Sequence, residues 1–395
     1  MLVCKAPMTD ERSNVVPFTS PWRRQLKRGV EKLRLGDSGG AFLDFERALD
    51  QAPDEPEVLI ALGRARAQQH RFEEAEDLLR RAMVRRPHSA TAAATLARVL
   101  GLHLDRPNEA FELLHRALEK NPDAAPLHVI RGELLLEEGA FLDARAAFGR
   151  VLDQDLADEA ARAGLARSYN LEGITLSDRG EDDPAIFAFK RAADLDPAWS
   201  GPCVNLGVVF GRLGKNQKAV EAYERALERE PANPVAHFNL GAAQLRLGNH
   251  QDALMALELT LEICPEYPRV RTALGNLLAE RGDFDRAIAL LLEEIEIGAA
   301  DAQSWTSLGL AYVCSGNSQR GERCLLDAIA LDARHFNAYH TLAALFVAQK
   351  RLEEAEAILR AAHAEDPEQA ARIFSDRQFE NVQGLDRFGF ISRSR

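Results

Sequence analysis

Long apolar runs are missing from this chain. No stretch of about 18 apolar residues occurs, so no membrane-spanning helix is expected from the sequence. Cysteine is scarce: Cys4, Cys203, Cys264, Cys314 and Cys324 are odd in number and show no C-x-x-C spacing. That pattern supplies neither a disulfide framework nor a zinc site, and a reducing cytoplasm is the expected location. Positive charge is in deficit, with a net charge of −12 and the two signs interspersed. General nucleic-acid binding, which rests on neutralising phosphates, is therefore not expected. The opening MLVCKAPMTDERSN lacks the basic end and apolar core of a secretory signal, and Met1 and Met8 both stand as starts.

The groupings that carry chemistry are missing too. Gly207, Gly211, Gly214 and Lys215 only superficially suggest a phosphate loop. The glycine six places before the lysine is absent, and Asn216 stands where a Ser or Thr would hold magnesium. His335 and His340 do not share a helical face, and no H-E-x-x-H occurs. The pairs Glu73-Glu74 and Glu353-Glu354 fall at the starts of expected helices, where negative charge suits the helix dipole. No enzyme, no cofactor and no metal is expected.

What is there is a rhythm. In Ser200–Pro231, Val204, Val208 and Phe210 lie about a helical turn from Leu206-Gly207, as a helix with a buried face requires. Gly214 ends that helix, and Ala219, Tyr223 and Ala226 mark the inner stripe of a second. The glycine step recurs at Gly29, Gly63, Ala97, Gly132, Gly173, Gly207, Gly241, Gly275, Gly309 and Ala343. A small residue follows in each unit from Ala41 to Ala355, and a bulky one from Phe45 through Phe148, Phe189 and Tyr223 to Leu359. At these offsets the chain resembles the tetratricopeptide repeat (TPR), a helix–turn–helix with a period of about 34 residues. The resemblance implies an all-α, right-handed α-solenoid of about ten repeats with a C-terminal capping helix. Neighbouring repeats bury each other's faces in such an array.

Organisation follows from where the rhythm holds. Residues 1–21 read as an N-terminal arm, 22–158 as repeats 1–4, and 166–367 as repeats 5–10. Residues 368–395 read as a capping helix, with Ile373, Phe374 and Phe379 facing back, and a loose tail from Phe388. The third repeat carries one extra residue, expected in the turn around Asp105–Asn108. From Gly132 to Gly173 the interval exceeds one period by about seven residues, which residues 159–165 accommodate as about two further helical turns. A plain surface extension and a joint with a projecting helix end are both compatible with that. Arg23, Arg24, Lys27 and Arg28 form a basic cluster on the first helix, either its solvated outer face or a docking patch for an acidic partner. His128 and His237 occupy a slot filled by Trp305 and Tyr339 in later repeats, and core positions are expected for them.

In the resembling family the first helix of each repeat lines a concave, ligand-holding face. Residue by residue, the resemblance places there Val204, Val208 and Arg212, then Val235, Phe238, Ala242, Leu245 and Arg246, then Arg269, Thr272 and Asn276. Thr306, Leu310, Val313, Asn337, His340 and Ala344 continue the series. Asn205 and Asn239 resemble the asparagines by which some TPR arrays hold a peptide backbone, since an amide offers donor and acceptor together. Bonds to neighbouring backbone or water are the alternative for both. With Arg167, the groove arginines suit a protein or peptide partner with apolar anchors and acidic flanks. No repeat pairs lysine and asparagine as the chaperone-binding members do. The expected function is a non-catalytic interaction scaffold or adaptor. A self-assembling coat protein and a regulatory subunit of an enzyme complex are the rivals.

Overall fold

The computed structural model describes residues 20–392. The N-terminal arm up to residue 19, with Cys4 and Met8, and residues 393–395 lie outside them. Every regular element among the described residues is helical. The helices form two units divided between Asp196 and Pro197, one helix pair beyond residues 159–165.

The first unit holds α1 (Pro21–Arg34), α2 (Ser38–Gln51), α3 (Pro56–Gln68), α4 (Phe72–Arg85), α5 (Ala90–Arg98), α6 (Pro107–Lys120), α7 (Ala125–Glu137), α8 (Phe141–Leu152), α9 (Glu159–Asp178) and α10 (Asp182–Leu195). The second holds α11 (Gly201–Arg212), α12 (Asn216–Arg229), α13 (Pro234–Leu247), α14 (His250–Ile263), α15 (Val270–Glu280), α16 (Phe284–Glu296), α17 (Ala302–Cys314), α18 (Ser318–Leu331), α19 (Phe336–Ala348) and α20 (Leu352–Glu365), then α21 (Pro367–Phe374) and α22 (Gly389–Ser392). Consecutive helices pack as pairs, and within each unit the pairs stack as a solenoid.

Local chemistry fixes the boundaries. Asp37, Ser89, Asp158, Asn233, Asp283 and Asp301 cap helices with side-chain oxygens that accept from the first turn. Proline occupies the first turn of α3, α6, α7, α11, α13 and α21, where its missing N–H costs nothing. Between the two helices of a pair the chain passes through one left-handed residue. Glycine takes that slot at 36, 139, 180, 214, 248, 282 and 316, while His70, Asp105 and Lys350 hold it with φ of 60°, 52° and 62°.

The two ladders meet inside each pair. A Cβ built on Gly275 would stand 2.7 Å from Cγ of Leu291, and one on Gly132 would stand 2.5 Å from the Phe148 ring. At Gly207 it would overlap the Tyr223 ring. The glycine is thus the space into which the bulky residue of the second helix fits, and each such side chain, fully buried, contributes about 1.5–3 kcal/mol.

Two details depart from expectation. The extra residue of the third repeat is not in the turn. It is absorbed by a π-helical turn, Val99–His103, at the end of α5, where the N–H of Leu104 donates to the carbonyl of Val99 at 3.0 Å. Residues 388–391 are not a loose tail, because Phe388 and Ile391 are buried with Ile373, Phe374, Phe379 and Val382 against Leu342, Phe346 and Leu359. Residues 159–165 form the first two turns of α9, where Ala161 is buried and Glu159, Ala160, Arg162 and Ala163 are exposed. Helix α9 runs 20 residues and is buried at Ala161, Ala166, Ser168, Asn170 and Gly173. Its Gly164 accepts the Phe148 ring from α8, and its Gly173 accepts the Phe189 ring from α10.

Candidate functional site

In the second unit, α11, α13, α15, α17 and α19 carry the expected groove residues. Helix α13 begins at Pro234 under the Asn233 cap, whose Oδ1 accepts from the N–H of Ala236 at 3.0 Å, and ends at left-handed Gly248. Between these ends it presents half-buried Phe238, Asn239, Ala242 and Leu245, with exposed Val235 and Arg246. Phe238 leans on Tyr267 with ring centroids 5.0 Å apart, and Leu245 packs on the core around Leu254 and Leu257. The Asn239 amide makes no hydrogen bond among the described residues, and Arg246 has no ion pair among them. The Arg246 guanidinium extends over α11, where a Cβ on Gly211 would lie 3.5 Å from Nη1. Beneath it the Tyr223 phenol is pushed up to about 12 by burial, an effect that the Arg246 charge partly offsets.

On α11, Val208 is 47% exposed, whereas Val204 is buried and belongs to the core rather than the lining. Asn205 is half-buried beside exposed Arg212. On α15, Asn276 stays half-open, but two expected members are committed elsewhere. Arg269, in the left-handed region at φ 65°, gives its guanidinium to the Asp301 carboxylate at 2.8 Å. Against its burial, the N–H of Ser304 and then that Arg269 bond hold the Asp301 carboxyl below its usual range. Thr272 is buried, and its hydroxyl lies 2.9 Å from that of Ser304. Thr306 is also buried and back-bonds to the carbonyl of Ala302 at 2.7 Å, while Leu310 and Asn337 are exposed. At α19 the capping segment itself covers the face. His340 lies 3.6 Å from the Asp376 carboxylate and edge-on to the Phe379 ring at 5.8 Å.

Arg167 belongs to the first unit, where it pairs with Glu137 at 3.0 Å. The basic cluster on α1 is exposed but not uniform. Arg23 lies over the Trp22 ring, and Arg28, with Lys32 and Arg47, surrounds the fully buried Asp44 carboxylate, Lys32 at 2.8 Å. Arg24 and Lys27 carry no ion pair among the described residues. His128 and His237 are core groups whose Nε2–H donates to the carbonyls of Pro122 and Pro231 at 2.7 and 2.9 Å.

One feature of the first unit escaped the reading by sequence. A hollow of about 600 Å³ opens across α3, α5, the π turn and α7, with Arg64, Thr91, Ala94, Arg98 and Val129 in its lining. These residues stand at the same offsets within their repeats as the groove positions of α13, so carrying the offsets through repeats two to four would have found them. Among the described residues no group of three or more His, Cys, Asp or Glu is placed to hold a metal ion, and no helix is long and apolar enough to cross a membrane.

Comparison with known proteins gives a consistent picture. Tetratricopeptide repeat models match residues 102–158, 204–268 and 306–370, and residues 32–100, together more than half of the chain. Protein CTR9 homolog of Arabidopsis thaliana is 28% identical over 204 residues, which make up 49% of this chain and 18% of that protein. The chain thus spans less than a fifth of that relative's length. The crystal structure of YrrB, a TPR protein with an unusual peptide-binding site, matches at a TM-score of 0.41 and 22% identity, covering 49% of this chain and 97% of YrrB. The APC/C hetero-tetramer Cut9–Hcn1 matches at 0.45 and 14% identity, covering 90% and 96%.

Proposed function

This chain belongs to the tetratricopeptide-repeat family, and we propose that it is a non-catalytic scaffold that holds a peptide segment of a protein partner along α11, α13 and α15. Repeats of this family build protein-interaction scaffolds in general; the choice of face is the new step. The observation that carries it is the composition of one side of α13. An amide (Asn239) and a guanidinium (Arg246) without partners among the described residues stand there with two half-open apolar side chains (Phe238, Leu245). An amide matches a peptide unit in both directions, an apolar shelf takes an anchor side chain, and a free cation favours acidic flanks. We leave Arg269 and Thr272 out of the strip, because the first pairs with Asp301 and the second is buried against Ser304.

Site-directed photo-crosslinking tests the face in native extracts. A crosslinker at 239 or 246 should join one and the same partner, whereas one at Leu326, exposed on α18, should not. Capture only from 326 would place binding on the opposite face. For the partner so identified, Asn239→Ala should weaken binding by about 1 kcal/mol, as loss of one hydrogen bond does. Arg246→Glu should weaken it further and flatten its salt dependence. Light scattering over a concentration series, expected to give constant mass, separates this reading from self-assembly into a coat.

A further inference from the structure

The first-unit hollow differs from the α13 strip in kind. Its floor is apolar, made by Ala67, Ala94, Val99, Val129 and Ile130, and its polar side chains, among them Arg64, Gln68, Thr91, Arg98 and Asp158, stand around that floor. Thr95 spends its hydroxyl on the carbonyl of Thr91 at 2.8 Å. Arg98 is held by both oxygens of Glu133, at 3.0 and 2.7 Å, and Asp158 caps α9. Two charges lack an opposite partner among the described residues, the Asp158 carboxylate, which accepts from a backbone N–H, and the cation Arg64, exposed at the rim. An extended peptide needs a partner for every second backbone amide, and this floor offers almost none. An apolar body needs only the floor.

Two local departures from the regular repeat converge on the same place. The π turn of the third repeat brings His103 to the wall, stacked on Phe72 with ring centroids 4.4 Å apart. His70, whose ring meets Phe72 edge-on at 5.7 Å, holds the left-handed slot that glycine fills in most other pairs. A π turn costs regular hydrogen bonding, and a left-handed side chain costs about 1–3 kcal/mol; both features gather at functional sites. Here they border one hollow whose volume falls within the range of small-molecule sites, about 300–1,000 Å³.

We propose that this hollow binds a small amphipathic monoanion, its apolar body on the floor of α5 and α7 and its carboxylate at Arg64. A medium-chain fatty acid has that chemistry. A single unpaired cation matches a single negative charge. The His103 imidazole is held below its usual range by burial, then by Arg98 and His70, which favours its neutral form.

Calorimetric titration of the full chain at pH 7.5 with decanoate, 1-decanol and decylamine tests this. Decanoate should bind, more tightly than decanol, and decylamine least. Two exposed positions allow changes that spare the core. Arg64→Gln should weaken decanoate about threefold to tenfold and leave decanol unchanged, the loss expected for one charged hydrogen bond at a wet rim. Thr91→Trp, which fills the mouth, should abolish binding of both while the thermal melt stays in place. Equal affinity for acid and alcohol, binding indifferent to Thr91→Trp, or no binding at millimolar decanoate would each overturn the proposal. So would a blocked Leu-Glu-Leu peptide that binds more tightly than decanoate and is lost in Thr91→Trp.

Discussion

At the scale of single residues, the packing rests on which glycines are spaces and which are merely small. Gly207 is a space, because a methyl there overlaps the Tyr223 ring, a rigid group inside the pair. Gly149, on α8, faces nothing within 4 Å and has no left-handed backbone. The same substitution should therefore have opposite signs at the two sites. Gly207→Ala should cost about 1–3 kcal/mol through overpacking. Gly149→Ala should gain about 0.5–1 kcal/mol, because glycine in a helix interior carries an entropic cost. Urea titrations of both variants decide it, and two losses of equal size would show that the close approach at Gly207 is not the cause. Size relations of this sort are what made the pairs legible from sequence: each is a fixed offset between a small and a large residue. Thr272 and Arg269 were not legible in the same way. Their partners, Ser304 and Asp301, lie on the next repeat, and no offset within one unit announces that a polar side chain will be bonded rather than open.

At the scale of elements, the connections between pairs carry as much specificity as the helices. Glu294 of α16 is a buried carboxylate behind the loop before α15, 4.0 Å from Arg271. Burial raises its pKa above the ordinary value, and Arg271 only partly offsets that. A carboxyl raised in the folded state destabilises it while ionised, and acidification through the raised pKa relieves the penalty. Glu294→Gln keeps an acceptor and removes the charge. It should melt higher than the parent at pH 7.5, and the gap should close as pH falls towards the ordinary carboxylate range. A constant gap across that window would mean that the charge is not what the site resists. The π turn shows the limit of sequence reading at this scale. One extra residue in a period is visible, but whether the turn or the helix takes it up depends on Leu134 and Ala110, which close on Gly101 and hold the second helix in register.

At the scale of the molecule, each unit has its own run of buried side chains. In the second the run ends under Phe379, Phe388 and Ile391, so the last pair is sealed by aromatics that a scan for repeats passes over, because they obey no period. A fragment of residues 197–395 should accordingly keep its helical spectrum and melt cooperatively. Removing 375–395 from that fragment should broaden the transition, as the face of α19 and α20 becomes wet. An unchanged melt would show the cap to be ornamental. In the first unit, the long α9 touches α8 through Gly164 and α10 through Gly173, nine residues or about two and a half turns apart, and so on opposite sides. Seven added residues advance a helical screw by nearly two whole revolutions, with an error of about 20°. The insert therefore changed the phase of α9 hardly at all, whereas a lengthening by five would have swung charged groups onto Phe148 or Phe189.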